Sequence, residues 1–148
     1  MSKLLQILEW VPLPQAARHL STVLSEEVSE ADILRLSIDG HMTLSFNCVN
    51  HARARQAKVV PLSEARIAPG LPVPGREPYD VLLDYVLPDH KHILKFDTDV
   101  TTIDGVWDLP MIGSEKHAAE QRYQELTSGP EVTLVALDGA FLRSPEGE

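Results

Sequence analysis

Two histidines separated by a single residue are the clearest candidate metal ligands in this 148-residue chain. They are His90 and His92, in the run Asp89-His90-Lys91-His92. If the segment is extended, side chains two residues apart share one face, and both imidazoles could bind one zinc or nickel ion. Asp97 or Asp99 could supply a third ligand. A metal-dependent enzyme is therefore one functional hypothesis, and a polar loop without metal is the alternative interpretation.

A second group of residues could bind phosphate. Arg53, Arg55 and Lys58 form the only basic cluster of the sequence, and Arg35 could join them on a nucleic-acid backbone. The alternative is a solvated loop or short helix from His51 to Lys58. The net charge of −9 disfavours nucleic acid as a partner, because an acidic chain repels phosphate at long range.

Large apolar side chains crowd the run Trp107-Asp108-Leu109-Pro110-Met111-Ile112-Gly113. Trp107, Met111 and Ile112 have the chemistry of anchor residues on a partner-binding surface. The same side chains would equally suit a core position where a strand meets a helix. An unidentified protein partner is therefore expected to bind here if the surface interpretation holds.

Nucleophilic catalysis finds no support in the sequence. Ser114, Ser128 and Cys48 have no histidine at a patterned spacing, and no Gly-x-Ser-x-Gly or phosphate-binding glycine loop occurs. The single cysteine precludes an internal disulfide and is typical of a reducing compartment. Met1–Val11 lacks the features of a signal peptide, and no apolar run would span a membrane. We therefore predict a cytoplasmic protein without a cofactor.

The densest local signals lie between Val28 and Cys48. Ser29 and Asp32 predict a capping box at the start of a helix, and Gly40 predicts its left-handed end. Beyond the glycine the apolar period changes to two, which predicts a half-buried strand. Its inward side chains are expected to be Met42, Leu44, Phe46 and Cys48.

Another helix is predicted before this one, from Pro14 to Leu24, with Ala16 and Ala17 allowing close approach of a neighbouring helix. Residues 13–48 resemble the winged helix-turn-helix of excisionase-like and mercury-resistance-regulator-type proteins. The resemblance is carried by Leu13–Ser21, Val28–Ser29, Ile33–Leu36 and Gly40–Met42. It implies a winged-helix fold whose second helix binds DNA.

The start of that second helix argues against a DNA contact. Glu30 and Asp32 stand where such a helix would meet phosphate, and their carboxylates would repel it. The same carboxylates suit the positive end of the helix dipole. We therefore expect this helix to belong to the interior packing of the protein.

The remaining elements are predicted from the positions of proline and glycine and from the spacing of apolar residues. The run Ala68–Pro78 has four prolines and two glycines, which predicts an extended connector or a proline-rich ligand for another domain. After the connector, the pattern predicts a short helix in Tyr79–Leu87 and a strand over Ile93–Ile103, with a turn at Asp104–Gly105 into Val106–Leu109. A helix is then predicted over Ser114–Leu126, followed by a strand over Val132–Leu137 that ends in a turn at Asp138–Gly139.

These elements predict an α+β protein with a winged-helix-like half followed by a small antiparallel sheet with one or two helices. The expected limits are residues 1–66 for the first half, 67–78 for the connector and 79–148 for an acidic second half, with packing of both into one unit left open. Residues 1–70 are neutral, and residues 71–148 carry the whole charge of −9. The leading hypothesis is a non-enzymatic regulatory or adaptor protein of the bacterial cytoplasm acting through protein contacts. A winged-helix DNA-binding regulator and a metal-dependent enzyme are the alternatives.

Overall fold

The computed structural model describes residues 3, 7–132 and 139–144. Within them it combines α-helices with antiparallel strands, which confirms the predicted α+β class. The elements are α1 Leu13–Leu24, α2 Glu30–Ile38, β1 Ser45–Ala54, β2 Ala57–Pro61, β3 Ile67–Pro69, β4 Asp80–Leu82, β5 Tyr85–Val86, β6 His92–Phe96, β7 Thr101–Asp108 and α3 Ser114–Thr127. None of the helices described is both long and apolar enough to cross a membrane.

The chain folds as two compact units, and their limits differ from those of the predicted halves. Unit 1 consists of Met1–Cys48 and Gly105–Glu148, and unit 2 of Val49–Asp104. Helix α3 packs on α2, so the end of the chain belongs with its beginning. Unit 2 carries seven Lys/Arg and eight Asp/Glu, and most of the negative charge is therefore in unit 1.

Helix α2 begins and ends as its sequence predicts. The Ser29 hydroxyl accepts from the Asp32 N–H at 3.2 Å, and the Asp32 carboxylate accepts from the Ser29 N–H at 2.8 Å. At the other end the His41 N–H donates to the Leu36 carbonyl at 2.8 Å, and Gly40 has φ +82°. This is a Schellman motif, in which glycine adopts the left-handed conformation without steric cost.

The core of unit 1 is built around α2. Ile33 and Leu34 are 1% and 4% exposed, and Ala17 of α1 and Ala119 of α3 are buried as well. The buried Ser37 hydroxyl donates to the Ile33 carbonyl at 2.9 Å, so its polar group is satisfied within the helix. The small alanines let both neighbouring helices approach α2 closely.

Unit 2 contains a three-stranded antiparallel sheet in the order β2-β6-β5. Ile93 lies opposite both Val60 and Val86 and is fully buried. The segment His51–Lys58, predicted as a loop or short helix, instead ends β1 and begins β2.

The helix predicted for Tyr79–Leu87 is wrong, because this segment forms β4 and β5. Both its backbone and a side chain bond to Arg66, which is distant in sequence. The Leu83 N–H donates to the Arg66 carbonyl, and the Asp84 carboxylate accepts from the Arg66 N–H. These nonlocal bonds override the local helical period.

The strand predicted over Ile93–Ile103 is also interrupted. β6 ends at Phe96 and pairs with β2 and β5, whereas β7 pairs with β1. The predicted turn at Asp104–Gly105 lies inside β7, where Gly105 has φ +77°. The partner strands, which the local pattern does not encode, decide where each strand ends.

The expected inward face of β1 is only partly correct. Cys48 is 3% exposed, but Phe46 is 53% exposed. Among the described strands β1 pairs with β7, and alternation along β1 does not by itself determine which of its side chains another layer covers. Most of the strand predicted over Val132–Leu137, with the first residue of the turn at Asp138–Gly139, lies outside the described residues.

The predicted connector, residues 67–78, forms the first strand and the loop of a hairpin. β3 and β4 pair antiparallel, with Ile67 opposite Leu82, Ala68 opposite Val81 and Pro69 opposite Asp80. We call residues 67–83 the β3–β4 ribbon.

Candidate protein-interaction surface

The histidines predicted to bind a metal lie in a tight hairpin between β5 and β6. The His90 N–H donates to the Leu87 carbonyl, and the Leu87 N–H donates to the His92 carbonyl, both at 2.9 Å. His90 has φ +55°, so the run is not extended and the premise that places both imidazoles on one face is wrong. Among the described residues, no group of three or more His, Cys, Asp or Glu side chains is placed to hold a metal ion.

Asp89 gives this hairpin its internal structure. Its Oδ1 accepts from the Lys91 N–H at 2.9 Å, and its Oδ2 lies 2.6 Å from Nδ1 of His92. The Lys91 backbone bond, followed by the His92 side chain, lowers the pKa of Asp89 to about 2. Asp89 and His92 therefore stabilise the turn as a pair.

The four cations predicted to bind nucleic acid fall into different units. Arg35 is in unit 1, and its Nε donates to Asp39 at 2.8 Å, a bond that raises the pKa of Arg35. Arg53, Arg55 and Lys58 lie exposed in unit 2. Within the described chain these three form no ion pair, so they remain available to an anion.

A fifth cation, Lys95, joins this cluster through strand pairing. Lys58 and Lys95 are direct cross-strand partners of β2 and β6. Like charges at such positions repel, and a bound anion would relieve the repulsion. The bonds from Arg66, followed by the weaker influence of Lys95, lower the pKa of Asp84. Asp84 is hydrogen-bonded to Arg66 and is therefore not the main partner of Lys95.

The predicted anchor residues Trp107, Met111 and Ile112 are all half-buried. Met111 borders an open cleft of about 290 Å³ in unit 1, together with Met42, Leu109 and Arg143. Ligand pockets start at roughly 300 Å³ and enclose their ligand, so this cleft does not identify a small-molecule site.

A buried carboxylate that sequence reasoning did not single out fixes the segment after Met111. Glu115 is 6% exposed, and its Oε1 accepts from the Ile112 and Gly113 N–H groups at 2.9 and 3.1 Å. Its Oε2 accepts from the Phe141 N–H at 3.1 Å. The segment that follows Met111 is thus tied into unit 1 as structure, which favours the packing interpretation for Met111 and Ile112.

The largest concentration of exposed apolar side chains lies in the β3–β4 ribbon. Of the 19 exposed large hydrophobic side chains in the described residues, seven belong to this 17-residue segment. They are Ile67, Leu71, Val73, Tyr79, Val81, Leu82 and Leu83. Single exposed apolar residues are normal on a protein surface, whereas a concentration of them in one short segment indicates a candidate interaction site.

Exposure of the ribbon is continuous and affects both of its faces. All residues from 71 to 83 are exposed, and so are Ile67 and Pro69. Because cross-strand partners share a face, Ile67 and Leu82 lie on one side and Val81 on the other. A two-stranded ribbon with both faces in water is marginal by itself and gains stability from a covering partner.

The base of the ribbon is held by an ion pair. Arg66 Nη2 and Nε donate to Asp84 Oδ1 at 2.6 and 3.0 Å, and the Arg66 N–H donates to Oδ2 at 2.7 Å. These bonds lower the pKa of Asp84 and raise that of Arg66. The Asp84 side chain is 1% exposed, so the pair orders the exit of β4 although the residues before it are exposed.

Sequence reasoning marked the proline cluster but not the strands on either side of it. β3 and β4 have three residues each and are separated by a long loop. A period measured within one segment does not detect strands this short, nor that two of them pair. Lys95 was missed for the same reason, because only the register brings it beside Lys58.

No family model, no curated protein and no solved structure matches this chain.

Proposed function

We propose that this chain is a non-enzymatic adaptor or regulatory protein that binds another protein through the β3–β4 ribbon. The observation that supports the proposal is the clustering of seven exposed apolar side chains on two short strands and their loop. Removing such side chains from water on binding is worth roughly 25 cal/mol per Å² of apolar area before the costs of association.

The ribbon also has the layout of an interface. Its apolar residues are interspersed with Arg76, Glu77 and Asp80, which are exposed and can form a polar rim. Charges of both signs at a rim contribute orientation more than affinity.

The test places a photo-crosslinking amino acid at Leu71 and at Leu82 of the full chain, and at Leu126 as a control. All three positions are exposed, at 81%, 44% and 39%, but Leu126 lies on α3 in unit 1. We expect one discrete covalent adduct from the two ribbon positions and none from Leu126. Mass spectrometry of the adduct identifies the partner.

The purified partner is then titrated calorimetrically with the Leu82→Asp protein. An aspartate at the centre of an apolar contact should weaken binding by about 30-fold or more, as expected for a hot-spot residue. The change should leave the free energy of unfolding within about 0.5 kcal/mol, because the site is exposed. Equal adducts at all three positions, or unchanged affinity of the variant, would contradict the proposal.

A second candidate function is binding to nucleic-acid phosphates through Arg53, Arg55, Lys58 and Lys95. The like-charge pairing of Lys58 with Lys95 favours it. Fluorescence anisotropy with a labelled random duplex at low salt should show binding that Lys58→Glu abolishes and Arg35→Ala, as the control, leaves intact. Absence of binding at about 100 μM protein would eliminate this candidate, since non-specific binders have Kd values of roughly 10⁻⁴ to 10⁻⁶ M.

A further inference from the structure

The loop of the β3–β4 ribbon holds an arm, Leu71-Pro72-Val73-Pro74, that is fixed at both ends. At the base, the Gly70 N–H donates to the Tyr79 carbonyl at 2.8 Å. At the tip, the Arg76 N–H donates to the Val73 carbonyl at 3.1 Å, and Gly75 has φ +80°. Proline followed by a glycine with positive φ is the pattern of a type II turn.

The backbone of the arm has very few conformations available. Pro72 and Pro74 have φ fixed near −65° by their rings. Leu71 and Val73 each precede a proline, which disfavours the helical region and favours extended or polyproline II geometry. With φ fixed at both prolines and Leu71 and Val73 biased towards extended backbone, the arm is predisposed to polyproline II geometry.

The arm also presents its side chains to solvent. Leu71 is 81% exposed, Val73 is 41% exposed, and both prolines are exposed. Because Pro72 and Pro74 have no N–H, one edge of the arm offers no donor to an added β-strand. The exposed rings and apolar side chains are therefore the main groups that the arm offers to a partner.

We propose that Leu71–Pro74 is a preorganised polyproline II ligand for a partner domain with an aromatic-lined groove. This inference rests on the proposed protein-binding function and specifies the class of partner. Such grooves exploit the low conformational entropy of a polyproline II segment, and the fixed ends of this arm reduce the ordering cost further. Arg76, exposed just beyond the arm, can pair with an acidic residue beside the groove.

The experiment uses the unlabelled full chain and ¹⁵N-labelled probe domains of three kinds: an SH3 domain, a WW domain and profilin. Amide and indole N–H shifts of the probe are followed while the chain is added up to about 1 mM, within the range of weak specific binding. We expect at least one probe to show shifts confined to its aromatic groove. The Pro72→Ala/Pro74→Ala protein should bind that probe about tenfold more weakly, because it loses both ring contacts and backbone restriction.

Pro88→Ala is the matched control. Pro88 is the second residue of the turn closed by the His90 N–H and the Leu87 carbonyl, which is the position that Pro74 has in the turn closed by Arg76 and Val73. It is exposed and lies outside the arm. It should bind like the unaltered protein. Groove binding that is about tenfold weaker in the double variant and unchanged in the control supports the proposal, whereas no groove shifts from any probe, or equal binding by the double variant, overturn it.

The two proposals can fail separately. If the probes do not bind but the crosslinked partner still requires Leu82, the ribbon is a protein-binding surface of another kind. If neither the probes bind nor the ribbon crosslinks, both proposals are wrong.

Discussion

Ile33 and Leu34 of helix α2 are 1% and 4% exposed, whereas Ile67 and Leu82 of the β3–β4 ribbon are 61% and 44% exposed. The side-chain types are the same, and all four lie within regular secondary structure. Helix α2 has two neighbouring helices in unit 1 to pack against, while β3 and β4 pair with no other strand in the part of the chain that the structure describes. Apolar residues in α2 therefore stabilise the fold, and those in the ribbon remain available for a partner.

The largest effect on the free energy of unfolding should come from shortening a buried side chain of α2. Ile33→Ala should lower the free energy of unfolding by about 2–5 kcal/mol, since it removes buried methyl groups and leaves a cavity. Ile67→Ala, the same substitution in the ribbon, should change it by less than about 0.5 kcal/mol. Denaturant unfolding followed by circular dichroism measures both. Similar losses in the two variants would remove the distinction between the regions.

The buried carboxylate of α3 should rank next. Glu115→Ala leaves three backbone N–H groups without their acceptor and should cost about 2–4 kcal/mol. Glu125→Ala on the same helix is the control, because Glu125 pairs with Arg122 at the surface and should matter by less than about 0.5 kcal/mol. A small effect of Glu115→Ala in thermal or chemical unfolding would show that unit 1 does not depend on this cluster.

The helix cap should contribute less than either. Ser29→Ala removes the acceptor of the Asp32 N–H and should cost about 1 kcal/mol. Ser63→Ala, at an exposed serine in unit 2, should have no measurable effect. Amide hydrogen exchange can localise the change, which should appear in α2 and leave the ribbon unaltered. Faster exchange in the ribbon of the Ser29→Ala protein would contradict the separation of the two regions.

The smallest expected effect is acid sensitivity within unit 2. A lowered pKa means that Asp89 stabilises the hairpin above its unfolded pKa of about 3.8, and that this contribution is lost as the pH falls from about 4 towards about 2. A carboxyl NMR titration should give the low pKa directly. In the Asp89→Asn protein, unfolding should lose part of its pH dependence over that window; an unchanged pH profile would show that the hairpin does not depend on this carboxylate.

Local signals were sufficient for α1, α2 and α3, but the same kind of pattern also predicted a helix in Tyr79–Leu87, where the structure has strands. The capping box at Ser29 and Asp32, the left-handed Gly40 and the existence of α3 were predictable, because capping and periodicity involve residues within a few positions of each other. Ser114, however, was expected to cap α3 and is its first residue, with Gly113 at the N-cap position. The proline cluster was likewise evident from composition.

Much less of the candidate surface could be predicted. The prolines of the arm were visible in the sequence, but their exposure and the type II turn at Gly75 were not. The expected anchors Trp107, Met111 and Ile112 proved half-buried. Size and apolarity indicate that a side chain can be an anchor, but not whether the protein itself already covers it.

By itself, the sequence determined where α2 begins and ends, which residues restrict the backbone and that the chain is acidic, because these depend on each residue and its near neighbours. Only the tertiary structure decided that Lys58 faces Lys95, that Glu115 holds three backbone amides and that Ile67 and Leu82 remain in solvent. The physical reason is that strand register and burial are set by partners tens of residues away, whose packing free energy overrides local preference.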